Sequence, residues 1–302
     1  MPTTTISTAA RWWTYQRERF PLAAHGPLVA AFSLSAMSVS AALRGGPALD
    51  PLAATLAVGS CLLFFLLLRV ADEFKDYAED CRYRPYRPVP RGLVSLRELG
   101  VVGVGAAALQ FGFALALSPR LVPLLFIGWA YFSLMCVEFF RPDALRARPL
   151  AYLGSHMVIV PLIDLYATAF DWAVAEAPPP PGLGWFAVAS FFNGVAIEVG
   201  RKVRAPEDEE PGVETYSARW GLRHALAFWL VALVLTALPG IALASLLGAG
   251  TVLAAVFAVL LAGAGLVALR FVRRPRGRAV EVYAGLWTLA FYGSLGLAAL
   301  LR

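Results

Sequence analysis

Nine apolar runs, each close to the length that crosses a bilayer, constrain this chain more than any other feature. They cover residues 22–43, 51–71, 96–118, 121–140, 150–171, 184–200, 224–247, 249–270 and 281–301. A spanning helix needs about 20 apolar residues. In lipid, an unbroken apolar run satisfies its backbone polar groups only by coiling into a helix. The expected fold is therefore an all-α polytopic membrane protein, with nine transmembrane helices in a single domain over 1–302. Composition agrees: 59% of residues are hydrophobic and 15% charged, against about 25% charged in soluble domains. The first run starts too far into the chain for a cleaved signal peptide and no cleavage-like site follows it, so it is expected to stay as a span.

Nine spans put the termini on opposite sides, and Lys and Arg then set the orientation. Twenty-three of the 26 basic residues fall in the N-terminal segment and the second–third, fourth–fifth, sixth–seventh and eighth–ninth connections; Arg44, Arg120 and Arg302 are the others. This places the N-terminus and those connections in the cytoplasm, in a multi-pass cell-membrane protein. It also accounts for the net charge of +6 without nucleic-acid binding. Cys61, Cys81 and Cys136 fit free thiols rather than a disulfide framework. His25, His156 and His224 are scattered, which argues against a zinc site.

The second run ends in Asp72-Glu73-Phe74-Lys75-Asp76-Tyr77-Ala78-Glu79-Asp80. At about 100° per residue, its five carboxylates fall within roughly 120° of one helix face. Such a face repels itself unless a cation compensates it. Mg²⁺ takes one or two carboxylates together with phosphate oxygens, and so lets an acidic surface hold a diphosphate. The candidate metal and catalytic residues are Asp72, Glu73, Asp76 and Asp80. The next segment, Arg82-Tyr83-Arg84-Pro85-Tyr86-Arg87-Pro88-Val89-Pro90-Arg91-Gly92, is rich in arginine, whose planar fork suits phosphate oxygens. Arg87 and Arg91 are the candidates there. A second connection, 198–221, parallels 72–95. Each starts with acid at a span end, runs through bases and Pro, and reaches Gly92 with Ser95 or Gly212 with Thr215. The four-span spacing hints at an internal repeat.

These residues resemble the UbiA superfamily of intramembrane prenyltransferases. Its first signature, Asn-Asp-x-x-Asp-x-x-x-Asp, is similar to Asp72, Glu73, Asp76 and Asp80. Its Arg-Pro-Leu-Pro-x-Gly-x-hydrophobic-Ser element is similar to Arg87-Pro88-Val89-Pro90-Arg91-Gly92-Leu93-Val94-Ser95. The resemblance implies nine helices around a central cavity open to lipid, a Mg²⁺ cofactor, an isoprenyl diphosphate substrate and a lipophilic, often aromatic, acceptor. The second signature departs from the family. Counting back from Gly212 in fours gives Asp208 and then Arg204; the other register uses Glu198 and leaves Lys202 at the next acidic place. Glu198 and Asp208 are thus candidate metal ligands, and Arg201, Lys202 and Arg204 candidate diphosphate contacts that would hold phosphate with less metal.

Inside the spans, His156, Asp164 and Asn193 either line the cavity and meet an acceptor or form interhelical hydrogen bonds; burial of ionisable groups at such depth costs about 2.5–3.5 kcal/mol on insertion scales. Glu138 is expected to pair with Arg141. Three functional readings follow: prenyl transfer to an acceptor, a terpene cyclase of the same superfamily in which the cation is quenched internally, and a non-enzymatic membrane transporter.

Overall fold

The structure, a computed structural model, describes residues 7–47 and 49–302. The described residues form helices and turns and contain no strand. The helices are α1 (Thr8–Arg19), α2 (Leu22–Arg44), α3 (Pro51–Lys75), α4 (Tyr77–Tyr83), α5 (Leu96–Leu117), α6 (Leu121–Cys136), α7 (Pro142–Arg146), α8 (Pro149–Met157), α9 (Ile159–Trp172), α10 (Leu183–Arg201), α11 (Tyr216–Trp220), α12 (Leu222–Leu246), α13 (Gly250–Arg273) and α14 (Ala279–Leu300). Eight segments are long and apolar enough to cross a membrane, α8 and α9 counting as one, and the shorter apolar α6 makes the ninth.

Local chemistry sets the ends of these elements. Asp50 caps α3 by accepting the Ala53 N–H at 2.7 Å, with Pro51 in the first turn where its missing donor costs nothing. Ser95 and Glu98 form a reciprocal capping box on α5. The fifth apolar run divides at Val158. Pro161 explains the break, because it offers no N–H to the Met157 carbonyl and its ring crowds that carbonyl.

The fourth run ends four residues earlier than the apolar pattern indicates. Glu138, Phe139 and Phe140 have φ of +48°, +51° and +58°, a left-handed turn made without glycine. Each such residue costs on the order of 1–3 kcal/mol and persists only where its surroundings hold it.

The interior is built mainly by α2, α9, α10, α12 and α14, with α3 and α5 paired at one side. Phe64, Phe186, Trp229, Phe257, Trp287, Phe291 and Tyr292 fill it. Outward faces stay apolar, as Val101, Val104, Val259 and Leu266 show, which suits lipid rather than water. Gly200 sets how closely α10 packs at its C-terminal end. A Cβ there would stand 2.8 Å from the Ala284 Cβ and 3.1 Å from the Trp229 Nε1. Its absence lets the end of α10 sit tightly against α12 and α14, which fixes Glu198 and Arg201.

Candidate active site

Asp76 links α3 to α4 with φ −90° and ψ 2°. Helical hydrogen bonding carries on across it: Asp76 N–H donates to the Asp72 carbonyl at 2.9 Å and Asp80 N–H to the Asp76 carbonyl at 2.8 Å. The five carboxylates therefore keep a common face although they sit on two helices. At about 100° per residue their order across that face is Glu79, Asp72, Asp76, Asp80, Glu73. Exposure falls in the same order. Glu79 is exposed, the Asp72 side chain is 49% exposed and Asp76 is half-buried. The Asp80 and Glu73 side chains are 2% and 1% exposed.

The buried edge is matched by arginine. Arg19 Nε donates to Glu73 Oε1 at 2.5 Å. Asp80 forms an ion pair with Arg84 at 2.8 Å and accepts from Arg87 Nη1 at 2.7 and 3.0 Å. Sequence reasoning placed Glu73 and Asp80 among the metal ligands; here both are committed to guanidinium groups. The open edge is different. Asp72 meets Arg69 at 3.4 Å, and among the described residues Asp76 has no hydrogen-bond or ion-pair partner. Burial, then the charges of Asp72 and Asp80, push the Asp76 carboxyl above its ordinary range, against the pull of Lys75 and Arg84. A half-buried, unpartnered carboxylate beside two others is a place for a cation.

Burial is also the first reason that the Arg87 guanidinium lies below its usual value; the Asp80 hydrogen bond opposes this, while Arg19 and Arg84 add like charge. Arg91 faces elsewhere. It donates to the Tyr86 carbonyl at 2.7 Å and to Glu18 at 2.9 Å, tying the loop to α1.

The second connection meets the first. Tyr86 O–H donates to Glu210 at 2.8 Å. The Tyr83 ring lies over Gly212, where a Cβ would stand 2.4 Å from ring carbons. Gly92 and Gly212 share φ +74°, and the residue three further on caps a helix in each case, Ser95 on α5 and Thr215 on α11. The two loops are thus alike in backbone as well as in composition. Glu198 is clamped between Arg201 at 2.5 Å and Lys202 at 2.9 Å. Arg201 is within electrostatic reach of Asp72, Glu198 of His156, and Tyr152 of Asp76. Arg204 turns into its own loop, with Glu210 and the Asp208 carbonyl both at 3.4 Å. Asp208 is exposed.

His156, on α8, belongs to this end of the bundle. It stacks on Tyr152 with ring centroids 4.0 Å apart, and its Nε2 lies 3.3 Å from Glu138 Oε2. Glu138 pairs with Lys75, not with Arg141 as expected; the left-handed turn at 138–140 swings it inward, where it is buried. Asp164 and Asn193 lie deeper. Tyr292 O–H donates to Asp164 Oδ2 at 2.7 Å, and Thr288 O–H to Asn193 Oδ1 at 3.2 Å. Of their two readings the structure realises interhelical hydrogen bonding. Sequence reasoning missed Arg19, Tyr15, Lys75, Arg84 and Tyr152, all of which surround the carboxylate face.

Among the described residues no three His, Cys, Asp or Glu side chains gather as a metal-binding group. Asp72 and Asp76 nonetheless suit Mg²⁺, which needs only one or two carboxylates when phosphate oxygens and water complete its shell. An open apolar groove of about 450 Å³, lined by Leu67, Val70, Ala71, Phe74, Lys75, Phe132 and Cys136, runs between α3 and α6. It lies on the side of α3 turned roughly 170° from the middle of the carboxylate arc, at 100° per residue. It is a lipid-side feature and not a chamber beneath the carboxylates.

A sequence profile described as the UbiA prenyltransferase family matches residues 31–295. The chain belongs to the UbiA prenyltransferase family. Solved UbiA folds are similar over nearly the whole chain. An apo UbiA homologue from Aeropyrum pernix K1 superposes with a TM-score of 0.67 at 18% identity, over 90% of this chain and 97% of that one. A UbiA homologue from Archaeoglobus fulgidus, solved bound to GPP and Mg²⁺, gives 0.58 at 14% identity, over 95% and 99%. A structure described as digeranylgeranylglyceryl phosphate synthase gives 0.57 at 14% identity, over 96% and 98%. A search of curated protein sequences gave no match.

Proposed function

We propose that this UbiA-family chain is a Mg²⁺-dependent intramembrane prenyltransferase, which ionises an isoprenyl diphosphate and passes the prenyl group to a lipophilic acceptor. In this reading residues 1–302 act as one domain, with the N-terminus and the 72–95 and 198–221 loops on the cytoplasmic face. The observation that carries it is Asp76, half-buried beside Asp72 and Asp80 and without a side-chain partner among the described residues. Support comes from the family match and from the Archaeoglobus fulgidus homologues solved with GPP or DMAPP and Mg²⁺.

Asp72 and Asp76 would hold the metal. Mg²⁺, when bound, neutralises phosphate charge and makes diphosphate a better leaving group. Asp80 orients Arg84 and Arg87 toward the same face, and Glu73 orients Arg19. Across from them, Arg201 and Lys202 add positive charge where the family has carboxylate. Buried aromatic and aliphatic side chains keep water from the allylic cation. Purified protein in lipid nanodiscs, given C10 to C20 isoprenyl diphosphates, Mg²⁺ and candidate acceptors, should release inorganic diphosphate and yield a product heavier by the prenyl group. No release with any of these diphosphates would sink the reading.

One observation favours a second reading. Glu198, the acidic residue at the end of α10, is held by two bases, so the second motif offers little to a second metal. A cyclase needs ionisation and no acceptor site. A cyclic hydrocarbon formed with no acceptor present would establish that reading instead.

A further inference from the structure

Helix α1 lies wholly outside the family-matched segment 31–295, yet it is fastened to the first motif along its length. Arg11 donates to the Leu93 carbonyl at 2.7 Å and to both Glu98 oxygens at 2.9 and 3.0 Å. Glu18 accepts from Arg91 at 2.9 Å. The Tyr15 ring is buried among Val70, Val89, Val94 and Leu99. Two details at the inner end of this helix go beyond docking. First, Glu73 engages Arg19 only through Nε; among the described residues the Nη1 and Nη2 groups have no partner. A guanidinium held by one edge presents its remaining donors in the planar fork that fits a phosphate. Second, the Tyr15 hydroxyl is buried with no hydrogen-bond partner among the described residues, a condition that is unfavourable unless something completes it. Burial, with the nearby Glu73 charge, raises the phenol's pKa, so this hydroxyl is a donor in search of an acceptor.

The charges agree. Arg19, Arg84 and Arg87 converge on the buried edge, where Glu73 and Asp80 are the carboxylates that meet them. Three guanidinium groups against two carboxylates leave a surplus positive charge next to Asp72 and Asp76. We propose that α1 supplies Arg19 and Tyr15 as diphosphate-binding residues, Arg19 through its Nη1 and Nη2 donors and Tyr15 through its phenolic O–H. Glu73 then serves as the positioning residue that aims Arg19. This assignment rests on the transferase reading, and it gives the N-terminal helix a part in substrate binding that the family-matched segment does not contain.

The test uses the full chain in nanodiscs with Mg²⁺ and geranyl S-thiolodiphosphate, an analogue whose C–S bond does not ionise, and reads its dissociation constant by calorimetry. The double variant Tyr15→Phe/Arg19→Lys keeps the buried ring and a cation against Glu73 and removes only an unpartnered hydroxyl, so its unfolding midpoint without ligand should be no lower than that of the wild type. Its affinity should fall about tenfold or more, since a hydrogen bond to a charged group contributes about 1.5 kcal/mol at the least. Arg17→Ala removes a whole positive charge from an exposed site on the same helix and should leave affinity unchanged. Affinity of the double variant within threefold of wild type, or an equal loss in Arg17→Ala, would overturn the proposal. A wild type with no Mg²⁺-dependent binding would instead bring down the transferase reading, before any variant is compared.

Discussion

Replacing Asp80 and Asp72 separately by alanine should have opposite balances of effect on stability and on metal, because burial changes so steeply across one helix face. Asp80 is 1% exposed, accepts two charged hydrogen bonds from Arg87 at 2.7 and 3.0 Å, and forms an ion pair with Arg84 at 2.8 Å. Asp80→Ala leaves two guanidinium groups facing each other in a site that excludes most water. Removing one partner of a buried ion pair costs about 3–5 kcal/mol. Asp72 is half exposed and meets Arg69 at 3.4 Å, a contact worth about 0–1 kcal/mol. At about 2–4 °C per kcal/mol, Asp80→Ala should lower the unfolding midpoint by on the order of 10 °C, and Asp72→Ala by on the order of 1 °C. The assay is thermal unfolding in nanodiscs without Mg²⁺, followed by titration of Mg²⁺ and inorganic diphosphate. Asp72→Ala should lose most of the stabilisation those ligands give. Equal midpoints for the two variants without ligand would refute the reasoning, since it would mean that Asp80 is not carrying its arginines.

Asp76→Asn should stabilise the metal-free protein near neutral pH and abolish stabilisation by Mg²⁺. The sign follows from the raised folded-state pKa: the fold disfavours the charged form, so the deficit relative to Asn should close as pH falls through that raised value toward the ordinary carboxylate range near 3.9, which unfolding curves of both proteins across pH 4–8 will show. Glu138→Gln should destabilise the protein by about 1–3 kcal/mol, because Lys75, itself in part solvated, loses a charged acceptor that is buried, whereas Arg141→Ala should cost less than about 1 kcal/mol; the two unfolding midpoints check this. Tyr292→Phe leaves Asp164 without its donor and should cost about 1–3 kcal/mol while Mg²⁺-dependent diphosphate release continues, as an unfolding curve and a release assay on one sample will show.

How much of this was legible from the sequence depended on whether the cause was local. The spans were, because lipid demands an apolar run of helical length for each crossing. The carboxylate arc was too, because helix geometry alone places Asp72 through Asp80 on one face. Phe139 and Phe140 look like the end of a span, and only a tertiary constraint turns them left-handed. Pro161 was a readable break signal inside the fifth run. Helix α1 escaped because its Trp12, Tyr15 and Arg19 spacing makes a short amphipathic surface, far from the length of a span. Partners could not be read at all. Arg19 meets Glu73 across 54 residues of sequence, and Glu138 chooses Lys75 over a neighbour three residues away. The bases of the second motif are visible in the sequence; what the fold adds is that Glu198 spends its charge on Arg201 and Lys202.

In the proposed mechanism the Asp72–Asp76 edge holds Mg²⁺ on a departing diphosphate. The most direct measurement of this is the Mg²⁺ dependence of inorganic diphosphate release from an isoprenyl diphosphate, for wild type and Asp76→Ala in the same nanodiscs. Wild-type release should end when EDTA removes the metal, and Asp76→Ala should show none above background. Release by Asp76→Ala at the wild-type rate, or wild-type release indifferent to EDTA, would contradict that mechanism.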